Sequence, residues 1–103
     1  MTLHTVNKSP FTSSLFQECL DVIGSQHSVL LIEDGVYGAL SSNPLADRVI
    51  ECAHSTSNRF YALQDDLTAR GLGVDTLLAE VTPISYQEFV QLTIQHHRIQ
   101  SWF

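Results

Sequence analysis

Apolar and polar positions follow two different periods along this chain. Leu3-His4-Thr5-Val6 is short, apolar and β-branched, the composition of a buried strand. Asn7-Lys8-Ser9-Pro10 breaks that pattern, because Pro10 fixes its own φ and turns Ser9 away from helical backbone. From Thr12 to Gly24 the spacing becomes helical, with Leu15, Phe16, Cys19, Leu20 and Ile23 on one face. Thr12, Ser13 or Ser14 caps its start, Gln17 or Glu18 completes a capping box, and Gly24 ends it. His27 to Glu33 is a near-continuous apolar run, as in a central strand covered on both faces. Asp34-Gly35 turns the chain, and Val36 to Leu40 fits either a short helix or a wrap over the sheet end.

Asn43-Pro44 signals a helix start, and Leu45, Ala46, Val49, Cys52 and Ala53 then share a face. His54 to Asn58 is polar and reads as loop, before a third strand at Arg59–Leu63. Asp65 or Asp66 caps a short helix from Leu67 to Arg70, which Gly71 and Gly73 end. Asp75 to Leu78 fits a turn or a helix. Ala79 to Ile84 is a weaker strand, and Pro83 near its end suits a sheet edge. Ser85 caps the last helix, with Tyr86, Phe89, Val90, Thr93 and Ile94 as its apolar stripe and Gln87, Glu88, Gln91 and Gln95 as its wet side. Ile99 to Phe103 fits a fifth strand. Trp102 and Phe103 imply an end docked in the core or at a subunit interface, since chain ends otherwise fray.

Strands alternating with helices across short loops predict an α/β fold. The expectation is a single small domain over residues 1–103, with a mostly parallel four- to five-stranded sheet and helices on both faces. Functional groups in such sheets collect at the carboxyl ends of the strands. Those ends are Asn7-Lys8-Ser9, Glu33-Asp34-Gly35 and Gln64-Asp65-Asp66.

Charge removes several function classes. With a net charge of −6 and only five Lys and Arg, the chain lacks the cations that draw a protein onto nucleic acid or an anionic membrane. No apolar run reaches the roughly 20 residues of a membrane span, and the first residues carry no secretory pattern. Cys19 and Cys52, each in a helix and 33 positions apart, do not make a disulfide scaffold. A reducing cytoplasm is the expected setting.

The candidate chemistry is sparse. Cys19 is the candidate nucleophile or sulfur carrier, but it stands about two turns into its helix, where the end dipole gives its thiolate little help. Cys52 also lies on an apolar stripe. His96 and His97 point about 100° apart on a helix, and His4, His27 and His54 are isolated, so no metal-ligand spacing appears. Gly71-Leu72-Gly73 lacks the later glycine of a dinucleotide loop, and neither a phosphate-binding Walker lysine nor a Gly-x-Ser-x-Gly elbow is present. No cofactor or metal is expected. Glu33-Asp34 and Asp65-Asp66 fit cation or acid–base work, and equally the roles of turn former and helix cap.

Several segments in order resemble the DsrH/TusB family of sulfur-relay proteins. They are Leu3 to Phe11, Val29 to Gly35 with its Leu-Ile-Glu-Asp-Gly core, Tyr61 to Gly71, Ile84 to Val90, and Ser101-Trp102. The resemblance implies a DsrE-like α/β domain that assembles with DsrE/TusD-like and DsrF/TusC-like sister subunits into a heterohexamer holding two copies of each. Sulfur would pass between thiols as a cysteine persulfide and on to a downstream acceptor protein. The best-established carrier cysteine of the family belongs to the DsrE/TusD-type sister. The TusB branch serves 2-thiolation of the tRNA wobble uridine, and the DsrH branch serves sulfur oxidation. Cys19 matches the cysteine position typical of the DsrH branch and so favours it. On that reading Cys19 is an auxiliary persulfide site, with Lys8 and His4 as candidate positive partners. A purely architectural subunit and a stand-alone enzyme using the carboxylates are the competing readings.

Overall fold

The computed structural model describes all residues, Met1–Phe103. Its strands are β1 (Thr2–Val6), β2 (Ser28–Leu31), β3 (Arg59–Leu63), β4 (Val81–Ile84) and β5 (Arg98–Trp102). The helices are α1 (Leu15–Val22), α2 (Ala46–Ser55), α3 (Gln64–Ala69) and α4 (Tyr86–Gln95). One five-stranded sheet results, in the order β4-β3-β2-β1-β5, with every pair parallel. Three successive connections step the chain from β1 out to β4, and the last carries it back across the sheet to the far side of β1.

That reversal divides the helices unequally. The larger core packs Phe16, Cys19 and Leu20 of α1, Val49 of α2 and Leu67 of α3 onto Val6, Val29, Leu31, Phe60, Ala62 and Val81 of the sheet. On the other face Leu3, Leu30 and Ile84 form a small cluster, covered by Phe89 and Leu92 of α4 with Ile32 and Tyr61. A right-handed crossover that steps one way lays its helix on one face, and a step the other way lays it on the opposite face. Three helices and a single helix therefore share the two sides.

The two segments left open by periodicity are both 3-10 helices, Glu33–Ala39 and Val74–Thr76. Gly35 explains the first. A Cβ there would lie 2.0 Å from the Val6 carbonyl oxygen, so only glycine lets this turn run across the end of β1. Several caps differ from expectation. Ser14 stands at the N-cap of α1 but bonds the Glu18 carboxylate rather than the backbone, while the Ser13 hydroxyl accepts from Leu15 N–H. Asn43 does not begin α2. Its amide donates to the Gly38 and Leu40 carbonyls and its oxygen accepts from Leu45 N–H, which fastens the 3-10 turn to the helix. Helix α3 starts at Gln64, ahead of Asp65 and Asp66. The Ser85–Glu88 capping box of α4 is complete.

The predicted apolar stripe of α4 is the largest departure. Phe89 packs inward together with Leu92, which the stripe had omitted. Tyr86, Val90 and Ile94 are exposed instead. A sheet face five strands wide offers one helix more apolar surface than it can cover, yet only one flank of the helix reaches it.

Candidate functional site

Cys19 stands in the second turn of α1, and its side chain is 0% exposed within the larger core. Burial pushes its thiol from the ordinary 9.0 up to about 12, and the neighbouring Cys52 adds to the effect. Cys52, on α2, packs half-buried against the same core. Its thiol is also raised, chiefly by burial, with Arg48 opposing and Glu51 reinforcing. The helices that carry the two thiols are joined at the surface by the Arg48–Asp21 ion pair at 2.8 Å. Neither Lys8 nor His4 acts on the Cys19 proton. The fold thus brings the two cysteines together, with Arg48 acting on Cys52 alone and no cation acting on Cys19.

The carboxyl ends of the strands do converge, as the parallel sheet requires. Glu33 takes a left-handed φ of 51°, uncommon for a side chain with a Cβ. Asp66 holds it there by accepting from Glu33 N–H at 2.7 Å, while the Glu33 carboxylate accepts from the Asn7 amide at 3.2 Å. Arg70 donates to Asp34 at 2.9 Å and lies 3.7 Å from Asp66. Asn7 Oδ1 is buried without a hydrogen-bond partner. Every carboxylate in this cluster except Asp65 is engaged by a neighbour, so the array braces β1, β2 and α3 against one another. It presents no nucleophile. No group of three His, Cys, Asp or Glu stands close enough to hold a metal ion.

Three histidines form a separate polar lattice, at the β5 side of the sheet and along the start of β2. Trp102 Nε1–H donates to His4 Nδ1 at 3.1 Å, so His4 is neutral with its proton on Nε2. Burial lowers the His4 pKa, and the adjacent His27 lowers it further. The two imidazoles meet edge to face at 5.6 Å. Thr2 N–H donates to His27 Nδ1, and His27 N–H donates to Asn58. His96 donates from Nδ1 to the Leu92 carbonyl and meets the Ser28 hydroxyl with Nε2, tying the end of α4 to β2. Periodicity does not reveal this lattice. The one available signal was the indole of Trp102, which needs an acceptor wherever it is half-buried.

A shallow cleft of about 220 Å³ opens between α4 and the β3–β4 edge, lined by Tyr61, Ile84, Glu88, Gln91, Leu92 and Gln95. It lies on the sheet face opposite both cysteines. It contains one carboxylate and no nucleophile.

The chain is similar to known proteins along nearly all of its length. A family model described as "DsrH like protein" matches residues 8–99. A protein named TusB from Shigella flexneri is 35% identical over 100 residues, covering 97% of this chain and 99% of that protein. TusB from an Escherichia coli strain is 34% identical with the same coverage. Among solved structures, the ychN protein of E. coli superposes with a TM-score of 0.83 at 14% identity, over 97% of both chains. A solution structure from Thermotoga maritima superposes with a TM-score of 0.65 at 26% identity, over 91% of this chain and 92% of that one. The ychN likeness establishes the architecture alone.

Proposed function

This chain belongs to the DsrH/TusB family of sulfur-relay proteins, and from that premise we propose that it is a non-catalytic subunit of a cytoplasmic persulfide-relay complex. Its partners are DsrE/TusD-like and DsrF/TusC-like sister chains, two copies of each subunit in a heterohexamer, together with a downstream sulfur-acceptor protein. The observation that carries this reading is the likeness to TusB along 97% of the chain. The same likeness favours the relay to the tRNA wobble uridine. Sulfur oxidation is the second reading, supported by Cys19 at the position typical of the DsrH branch.

The chemistry of a relay step supports an architectural role. The accepting thiolate attacks the outer sulfur of the donor's persulfide, that sulfur–sulfur bond breaks, and the donor leaves as its own thiolate. A thiol whose pKa is about 12, with no cation beside it, is almost never a thiolate at neutral pH. Cys19 in this conformation is packing, and the carrier thiol is a sister's. The acidic surface is compatible with that arrangement, because this subunit need not touch tRNA.

The test is sulfur loading of the purified complex, followed by mass spectrometry of each subunit. Added sulfur found on the sisters alone, with Cys19→Ser assembling and relaying normally, is the expected result. A persulfide on Cys19 that passes onward would make this chain a carrier.

A further inference from the structure

Two of the three lattice histidines hold their partners only while neutral. The Trp102 indole and the Thr2 backbone N–H are donors and never acceptors. They donate to Nδ1 of His4 at 3.1 Å and to Nδ1 of His27 at 3.0 Å. Each ring therefore keeps its proton on Nε2. An imidazolium carries N–H on both nitrogens and accepts nothing, so protonating either ring sets a donor against a donor. His96 is built the other way. Its Nδ1 meets the Leu92 carbonyl, which only accepts, and its Nε2 meets the Ser28 hydroxyl, which can turn to accept. A His96 cation satisfies both contacts.

These bonds stand on the two sides of one joint in the chain. His96 ties the end of α4 to β2, and β5 begins two residues later at Arg98. Arg98 to Ser101 are exposed, and Trp102 alone of β5 packs against the core. Beyond its ladder with β1, the strand has two side-chain hydrogen bonds to the rest of the chain. The Ser101 hydroxyl accepts from Thr5 at 3.2 Å, and Trp102 donates to His4.

The surroundings give a His4 cation no compensation. β1 has no charged side chain. The chain enters β2 through His27, whose ring meets His4 edge to face at 5.6 Å. β5 brings Arg98, a second positive charge. α1 packs over β1 and β5, but its Cys19 is a neutral thiol, its Glu18 accepts from Ser14 and its Asp21 pairs with Arg48. Burial and His27 are the influences on the His4 proton, and both oppose it.

We propose that β5 is an acid-released strand: a proton taken up at His4 Nδ1 expels the Trp102 indole, and the chain from Arg98 onward leaves β1 while His96 keeps α4 in place. A charged His27 loses Thr2 at the start of β1 in the same way. Release uncovers the backbone groups of β1 that paired with β5. In the released form His4 titrates near its ordinary value of about 6.5. The released population then rises about tenfold for each pH unit below that, until the closed form takes up the proton too. This device is a property of the chain itself and does not depend on any role in sulfur transfer.

The experiment is amide hydrogen exchange of the full chain by NMR from about pH 7.5 to 5, each rate divided by that of an unstructured chain at the same pH. Protection of the β5 amides is expected to fall about tenfold per unit below about pH 6.5, and to stay at least tenfold under that of Val29–Leu31. His4→Asn sets a carbonyl oxygen near the place of Nδ1, an acceptor that does not titrate. In that variant β5 protection should stay within about threefold over the same range. Constant β5 protection in the unaltered chain overturns the proposal. So does a fall that merely matches Val29–Leu31, or an undiminished slope in His4→Asn. Imidazole nitrogen shifts of the unaltered chain supply a test that needs no variant. They should place the His4 proton on Nε2 at neutral pH, and a proton on Nδ1 overturns the proposal.

Discussion

Iodoacetamide offered to the folded chain should find Cys19 nearly inert. Alkylation proceeds through the thiolate, and its rate follows the thiolate fraction. Burial raises the Cys19 thiol from 9.0 to about 12. At about pH 8 that difference of three units leaves roughly a thousandfold less thiolate than in the unfolded chain. The thiol is also 0% exposed, so the reagent must wait for α1 to lift from the sheet, which lowers the rate further. The assay is timed alkylation with peptide mass spectrometry, native against urea-unfolded, with the half-buried Cys52 as an internal reference. Cys52 is expected to label well before Cys19. Native labelling of Cys19 within tenfold of the unfolded rate would refute the reasoning. It would mean that α1 opens readily and that the buried state is not the one that matters for sulfur chemistry.

Other outcomes follow from the histidine lattice and the β1 crossing. The His4 pKa is lowered on folding from its ordinary 6.5, so the unfolded chain takes up the proton first. Stability present above about 6.5 should therefore be lost as pH falls from there toward the folded value, and level off below it. Trp102 is the only tryptophan, so urea unfolding followed by its fluorescence reads this directly; a midpoint that rises as pH is lowered from about 6.5 would contradict it. Trp102→Phe removes the donor to the His4 ring and should cost about 1–3 kcal/mol in urea unfolding. Loss of under about 0.5 kcal/mol would show that water replaces the indole freely. Gly35→Ala drives a methyl into the Val6 carbonyl and should cost about 3 kcal/mol or more, whereas Gly24→Ala, with open space but a φ of 70°, should cost about 1–2 kcal/mol. Equal losses by thermal melt would remove the close approach as the reason for glycine at 35.

The parallel sheet was readable because its strands are either continuous apolar runs or follow a clear turn signal. Val29–Leu31 and Phe60–Leu63 bury residues on both faces, and that composition survives in the one-dimensional pattern. The face that each helix covers is a matter of topology, and the pattern could not supply it. Val90 and Ile94 therefore looked like core although they are exposed. At the candidate site, the burial of Cys19 followed from its place in the stripe with Phe16 and Leu20. The pairing of the two thiols did not, because it depends on α1 and α2 lying side by side. Asp66 was expected as a cap of its own helix and instead holds Glu33, 33 residues away, in left-handed backbone. The His4–Trp102 bond joins residues 98 positions apart. Such contacts arise only once β5 has crossed the sheet to pair with β1.

Purifying this chain together with DsrE/TusD-like and DsrF/TusC-like sisters, loading sulfur and weighing every subunit tests the central claim most directly. The account predicts one assembly containing all three chains, with added sulfur on a sister and none on Cys19 or Cys52. A chain that stays apart from both sisters, or that itself carries and hands on the sulfur, would contradict it.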